Sequence, residues 1–332
     1  MKRATIEDVA ALAGVSRQTV SRAINDKGEI SPATKEKVIA AVQQLGYQPN
    51  RQAQSMVTQR TQTVGLVIPD ISNLFFPEVA RGVQDTAQQH DYNVLLCNTD
   101  DDPEEEIRVL NSLAAQGVDG IIIIGNAAEK TAMQTFADSY APIVMVNRFI
   151  EHPNVNFINV DNEHGAFLAV EHLIQQGHVK IGMLANKNFS RSQVRRVRGY
   201  EKALIENGIP YDEALIVGAT PTLEGGYHAL QQLLGEHPEI TAVFTYNDLM
   251  GIGAIRAAHD LAKRVPQDLA VVGFDNIGLS SIFIPSLSSV HVDKYDLGQR
   301  AMNRILDMLN TPEQTFTPIE LPVTLVTRES ST

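Results

Sequence analysis

The sequence predicts a small all-helical N-terminal unit followed by a larger α/β domain of two doubly wound parallel-sheet lobes. Three observations predict it. Three short apolar stripes at helical spacing, each with its own start and stop signals, fill residues 1–49. From Thr63 onward the pattern changes to short β-branched runs alternating with helical stretches, and that alternation implies parallel sheets covered on both faces. The chain has 332 residues, longer than the roughly 250–300 that one hydrophobic core usually serves.

Composition narrows the class further. Hydrophobic residues make up 43% and charged residues 20%, a balance suited to packed structure. Cys97 is the only cysteine, so an intrachain disulfide and CxxC chemistry are excluded, and a reducing, cytoplasmic setting is expected. No apolar h-region follows Met1 and Lys2, and no apolar run approaches a membrane span, so neither secretion nor insertion is expected. The net charge of −12 is unevenly placed: residues 1–60 hold nine Lys and Arg against five Asp and Glu, a net +4, which leaves −16 for the rest. A basic module on an acidic body suits a protein that brings only its first sixty residues to DNA.

Within those sixty residues, Thr5 is placed to cap a helix over Ile6 to Ala13, and Gly14 supplies a tight turn. Ser16 caps a second helix carrying Thr19, Val20, Ala23 and Ile24, which stops between Asn25 and Gly28. Ser31 and Pro32 open a third, with Val38, Ile39, Val42 and Leu45 on its apolar side and Gly46 at its end. The first two helices and their glycine turn form a helix-turn-helix, whose second helix presents Arg17, Gln18 and Arg22. Arg donates two hydrogen bonds to guanine O6/N7 and Gln brackets adenine N6/N7, so these side chains suit base reading; solvated surface positions are the alternative that spacing leaves open.

The run IEDVAALAGVSRQTVSRAIN closely resembles the DNA-binding signature of the LacI/GalR family, and the resemblance continues through SPATKEKVIAAVQQLGYQPNRQAQSM and across essentially the whole chain. It implies a bacterial transcription regulator, most simply a repressor, which binds a palindromic double-stranded operator as a homodimer under control of a small-molecule effector. DNA contacts implied by the resemblance are Thr5, Ser16, Arg17, Gln18, Thr19, Ser21, Arg22 and Asn25, followed by Asn50, Ala53 and Met56 in a hinge at 50–60. In the family that hinge inserts an apolar residue into the minor groove; Met56 stands where leucine is usual, and methionine is an acceptable wedge.

Residues 61–332 form the expected effector-binding and dimerisation domain. VGLVIP, NVLLCN, GIIIIG and PIVMVN read as strands, separated by helices over Pro77 to His90, Pro103 to Ala115 and Lys130 to Ser139. A second series follows: helix Glu163 to Gln176, strand KIGMLA, helix Ser192 to Asn207, strand LIVG, helix Leu223 to Leu234, strand AVFTY, helix Asp248 to His259 and strand AVVGF. The resemblance makes the domain similar to periplasmic sugar-binding proteins, with crossings near Asp161, Val290 and Val323. Lobe 1 is then about 61–161 and 291–321, with the helix Tyr295 to Leu309, and lobe 2 about 162–290 and 322–332.

Ligands of open α/β sheets sit beyond the carboxyl ends of strands. Candidates there are Phe75 or Phe76 for stacking and more weakly Asn147, while the resemblance implies effector contacts at or beside Ser192, Arg196 as a fork of donors, Asn247, and Asp275 as an acceptor for ligand hydroxyls. Pro221 replaces an aromatic wall found in several relatives. A sugar or sugar derivative, phosphorylated or not, leads, with a purine or nucleoside second.

Enzymatic readings fare worse. No GxGxxG follows a predicted strand, and GxxxxGK[ST], HExxH and GxSxG are missing, so neither an enzyme nor a bound cofactor is expected. Cys97 reads as an inert thiol ending a buried strand. The cluster Asp100 to Asp102 with Glu104 to Glu106 suits a helix start capped by Asp102 better than a metal site. A secreted solute-binding protein would share the two lobes but have no use for the first sixty residues. Met56→Asp is expected to abolish operator affinity and leave effector binding intact, as a gel-shift titration beside a calorimetric one would show.

Overall fold

The structure is a computed structural model that describes residues 4–24, 30–47, 60–125, 128–188 and 190–332. Asn25, Asn50, Ala53 and Met56 lie outside the described residues. The chain divides into two compact units, Met1–Thr61 and Gln62–Thr332.

In the first unit α1 (Ile6–Ala13), α2 (Arg17–Ile24) and α3 (Pro32–Leu45) start and stop where their local chemistry dictates. Thr5 Oγ1 accepts from Asp8 N while Asp8 Oδ2 accepts from Thr5 N, a reciprocal pair that satisfies two amides of the first turn. Gly14, at φ 65°, takes the left-handed conformation that closes α1, a conformation that costs a residue with a Cβ. Ser16 Oγ accepts from Thr19 N to open α2, and Ser31 Oγ accepts from Thr34 N to open α3. Val9, Ala10, Val20, Ala23, Val38 and Ala41 meet between the helices as a core of small side chains.

The second unit runs β1 (Thr63–Ile68), α4 (Phe75–Gln89), β2 (Asn93–Asn98), α5 (Pro103–Ala115), β3 (Gly120–Ile124), α6 (Lys130–Ser139), β4 (Ile143–Val146) and β5 (Val155–Val160). It continues with α7 (Asn162–Gln175), β6 (Ile181–Asn186), α8 (Arg191–Glu206), β7 (Ile216–Ala219), α9 (Leu223–Glu236), β8 (Ala242–Thr245), α10 (Asp248–Asp260) and β9 (Ala270–Asp275). The short α11 (Gly278–Ile282), β10 (Ser288–His291), α12 (Lys294–Asn310), β11 (Ile319–Leu321) and β12 (Thr324–Val326) complete it. One sheet has the order β11-β5-β4-β3-β1-β2, with every pairing parallel. The other has the order β12-β10-β9-β8-β6-β7, parallel except for the β10–β12 pair. The chain passes from the first sheet to the second after β5, returns after β10, and passes over again between β11 and β12.

Four strands escape the sequence reading: β5, β10, β11 and β12. Their runs, VNFINV, SSVH, IEL and TLV, are short or interleaved with Asn and Ser, and neighbouring strands rather than β-propensity hold them. A second correction concerns β2. It is an edge strand paired only to β1, with Leu95 and Leu96 exposed and Cys97 half-buried, so NVLLCN is not the buried strand its composition suggests. Partial burial still pushes the Cys97 thiol pKa up, which keeps it protonated. Asp102 caps α5 as expected, accepting from Glu104 N and Glu105 N at 2.8 and 2.9 Å.

α4 and α12 cross closely through a reciprocal glycine contact. A Cβ on Gly82 would fall 2.1 Å from Tyr295 O, and one on Gly298 would fall 2.1 Å from Val79 O. Both obstacles are backbone, so the helices would have to separate. Gly298→Val is expected to destabilise the domain by about 2–3 kcal/mol, the cost of overpacking a tight contact, read as a lower urea midpoint at unchanged m value.

Candidate functional site

On the first unit, Arg17, Gln18 and Arg22 are exposed along α2, Thr19 and Ser21 are half-buried, and Val20 and Ala23 anchor the helix from below. Alternation of anchor and exposed residue presents the polar side chains on one outward face. Ser16 and Thr19 bond each other, Oγ to Oγ1 at 2.9 Å, at the start of the helix. Arg17 meets Glu7 of α1 at 2.9 Å, a partner that the sequence reading does not assign. Both side chains are well exposed, and an exposed pair contributes only about 0–1 kcal/mol, so the guanidinium remains available for exchange to a base edge.

On the second unit, a cleft of about 770 Å³ opens between the carboxyl ends of the two sheets. The strand order reverses between β1 and β3 in one sheet and between β6 and β8 in the other, and at such switch points successive loops diverge to leave a crevice. Residues at or shortly beyond the ends of β1, β2, β3, β4, β6, β7, β8 and β9 line it. All seven candidates from the sequence, Phe75, Phe76, Asn147, Ser192, Arg196, Asn247 and Asp275, are among them.

They do not play equal parts. Arg196, 5% exposed, is held from every side. Its Nε donates to Asn162 Oδ1 at 2.9 Å, one terminal nitrogen donates to the Tyr246 carbonyl, and the other lies 3.5 Å from Asp275 Oδ1. The guanidinium carbon lies over the Phe274 and Tyr246 rings, 3.6 and 4.5 Å from their centroids. Asn147 is taken up structurally: its Oδ1 accepts from Val160 N at 2.8 Å and Asn162 Nδ2 at 3.3 Å, steadying the crossover after β5. Asn247 caps α10, accepting from Met250 N and donating to Pro221 O. Phe75 packs into the core, while the half-buried Phe76 meets it edge-on at 5.3 Å. Ser192 Oγ lies 3.2 Å from Tyr246 OH.

Tyr246 is the aromatic that the sequence reading missed, and it stands across the cleft from Phe76 in the chain's second sheet. Its position after AVFT was the available signal. Asp70, Asp100 and Asp101, from the ends of β1 and β2, also line the cleft, although the acidic run reads in sequence only as a helix start.

Asp275 is 6% exposed and adopts φ 106°, a strained conformation for a side chain with a Cβ. Buried Lys294 holds that turn: its Nζ donates to Asp275 O at 2.8 Å, Asn276 O at 3.0 Å and Val292 O at 3.3 Å, and reaches Glu78 at 3.4 Å. Burial raises the Asp275 pKa to about 6, with Arg196 and Lys294 pulling it back. Behind it, fully buried Asp248 accepts from Ile277 N, Ser280 Oγ and Ser289 Oγ at 2.8, 2.7 and 2.5 Å. Burial, and then the Asp275 charge, raises Asp248 to about 7 against the three donors.

Such raised carboxylates are easier to hold protonated in the folded state, so the stability they contribute is present below about pH 4 and lost as pH rises through about 6 and 7. Asparagine fits the same donor set at 248, since the Ser289 hydroxyl can accept instead of donate. The stability advantage of Asp248→Asn over the unmodified chain is expected to grow from pH 5 to pH 7 and then level off, measured by urea unfolding at each pH.

Residues 5–50 match the family model described as bacterial regulatory proteins, lacI family, and residues 61–329 match that of periplasmic binding proteins and sugar binding domain of LacI family. The chain is 35% identical to catabolite control protein A of Priestia megaterium over 98% of its own length and 99% of that protein's. It is also 35% identical to the ribose operon repressor of Halalkalibacterium halodurans, over 98% of this chain and 97% of the repressor. Among solved structures, the lac repressor dimer bound to operator and the anti-inducer ONPF superposes with a TM-score of 0.91 at 31% identity, covering 99% of each chain. An exposed reading helix on the first unit, a two-sheet cleft on the second and these full-length similarities lead to one conclusion: the chain belongs to the LacI family of bacterial regulators, DNA-binding regulators of transcription rather than enzymes.

Proposed function

We propose that this protein is a repressor that binds an inverted-repeat operator as a homodimer and changes its operator affinity when a sugar or sugar derivative enters the cleft. The observation that carries the reading is the outward face of α2, where Arg17, Gln18 and Arg22 stand exposed on a helix anchored by Val20 and Ala23. In this reading Arg17, Gln18 and Arg22 contact base edges, while Thr5, Ser16, Thr19, Ser21 and Asn25 orient the unit on the backbone. The hinge over 50–60, with Asn50, Ala53 and Met56, lies at the operator centre, and Met56 is its minor-groove wedge.

A second copy has surfaces to occupy. Leu95 and Leu96 on the edge strand β2, and Ile282 and Ile284 beyond β9, are exposed apolar side chains that contact with a second copy would remove from water. A dimer also matches the twofold symmetry of an inverted repeat. The effector acts by binding one dimer state more tightly than the other, so its sign follows from that difference in affinity. In the cleft, Arg196 and Asp275 fix ligand polar groups, and Phe76 with Tyr246 supplies ring faces. A cytoplasmic location accords with this function, and among the described residues no helix is long and apolar enough to cross a membrane.

Selection of genomic fragments by the full-length protein at fixed salt, followed by sequencing, tests the reading. Recovery of a short palindrome beside carbohydrate genes is the expected result, and retention without sequence preference, with and without sugars, would sink it. On the recovered site, Arg22→Ala is expected to cost about 1–3 kcal/mol and to relax preference at one base pair in each half-site, measured by fluorescence anisotropy.

A further inference from the structure

The two walls of the cleft carry an unusual balance of charge. Asp70 follows β1, and Asp100 and Asp101 follow β2, so one wall presents three carboxylates. Burial and then the like charges of Glu106, Asp70 and Asp100 push the Asp101 pKa upward, and no cation acts to lower it. Asp70 accepts from Ser72 N and Ser72 Oγ, and Asp100 accepts from the Asn98 amide, which leaves lone pairs on both carboxylates.

On the opposite wall stands Asp275, more than nine-tenths buried. Its Oδ1 faces Arg196 at 3.5 Å, and among the described residues its Oδ2 has no hydrogen-bond partner. The cations available to an anion are few. Arg196 donates once from each of its three nitrogens, to Asn162, to the Tyr246 carbonyl and, at 3.5 Å, to Asp275, whose carboxylate offsets its charge. Lys187, the other cation lining the cleft, is exposed to solvent.

Helix N-termini would be the natural seats for a phosphate, and α4, α8 and α10 all begin at the cleft. At each of them a side chain already takes one amide. Asn73 Oδ1 accepts from Phe75 N, Ser190 Oγ from Gln193 N and Asn247 Oδ1 from Met250 N.

We propose that the cleft admits a ligand that offers hydroxyl or ammonium donors to both walls, a free sugar or an amino sugar, and turns away the corresponding phosphate ester. This rests on the sugar-effector reading and sharpens it. Carboxylates on both walls leave unpaired lone pairs that hydroxyls satisfy, whereas a phosphate brings two negative charges and further acceptors into the same field. The acidic run Asp100 to Asp102 then has two tasks: Asp102 starts α5, and the two residues before it select the ligand's charge.

Calorimetric titration of the full-length protein with matched triplets tests this: glucose, glucosamine and glucose 6-phosphate; galactose, galactosamine and galactose 6-phosphate; with ribose and ribose 5-phosphate beside them. Within the set that binds, the phosphate ester is expected to bind at least about tenfold more weakly than the free sugar, at constant salt and pH 7.5. Asp70→Asn with Asp101→Asn is expected to narrow that ratio and to weaken the amino sugar. A phosphate ester that binds as tightly as its parent sugar, or a ratio unmoved by the double substitution, would overturn the charge selection while leaving the sugar reading intact. Binding of a purine such as hypoxanthine with no response to any sugar or sugar phosphate would overturn both.

Discussion

The effector half of the molecule depends on one buried guanidinium. Arg196 comes from α8, yet it bonds Asn162 at the crossover after β5, the carbonyl of Tyr246 after β8, and Asp275 at the end of β9, and lies over two aromatic rings. Arginine suits this role because its planar fork is always charged and donates in several fixed directions, while its flat faces stack. An ammonium at the same place would satisfy fewer partners. The ends of β8 and β9 and the crossover after β5 are thereby referred to one side chain, so that part of the cleft wall is positioned in advance.

Around that centre the protein maintains costly arrangements. Asp275 is strained and Asp248 is a carboxyl group buried in the interior, and both are held by neighbours: the Lys294 ammonium on three carbonyls in one case, two serines and an amide in the other. Strain and raised carboxylate pKa values tend to concentrate at functional sites; here both meet at Asp275 on the cleft wall, with Asp248 holding Ile277 behind it. The DNA-facing unit is built on the opposite plan. Its core consists of Val and Ala side chains, its helices are made mainly by their caps, and its polar residues point outward. Rigid support lies where discrimination between small ligands requires it.

Legibility in sequence followed the range of the interactions. The ends of α1 and α3 and the start of α5 were readable to the residue because Thr5, Gly14, Ser31, Gly46 and Asp102 act within one turn. The central strands were readable because Val and Ile runs buried on both faces have no other explanation. β5, β10, β11 and β12 were not, since their pairing partners lie far along the chain or come from the other end of it. Cys97 misled for a related reason: apolar composition marks a strand, but whether that strand lies at a sheet's centre or its edge depends on topology.

The sequence by itself determined the division into a basic reading unit and an acidic two-lobed body, the helix-turn-helix, and the set of loops that face the cleft. These follow from local signals: caps, periodicity, charge count, and the rule that ligands sit beyond strand ends. Only the tertiary structure decided what each cleft residue is free to do. Asn147 and Asn247 spend their amides on the crossover and a helix cap, Arg196 donates from each nitrogen to the protein, and Tyr246 with the aspartates after β1 and β2 completes the walls. The physical reason is that a side chain's remaining hydrogen-bond capacity depends on which distant groups pack against it, and those meetings are set by sheet order rather than by neighbours in the chain.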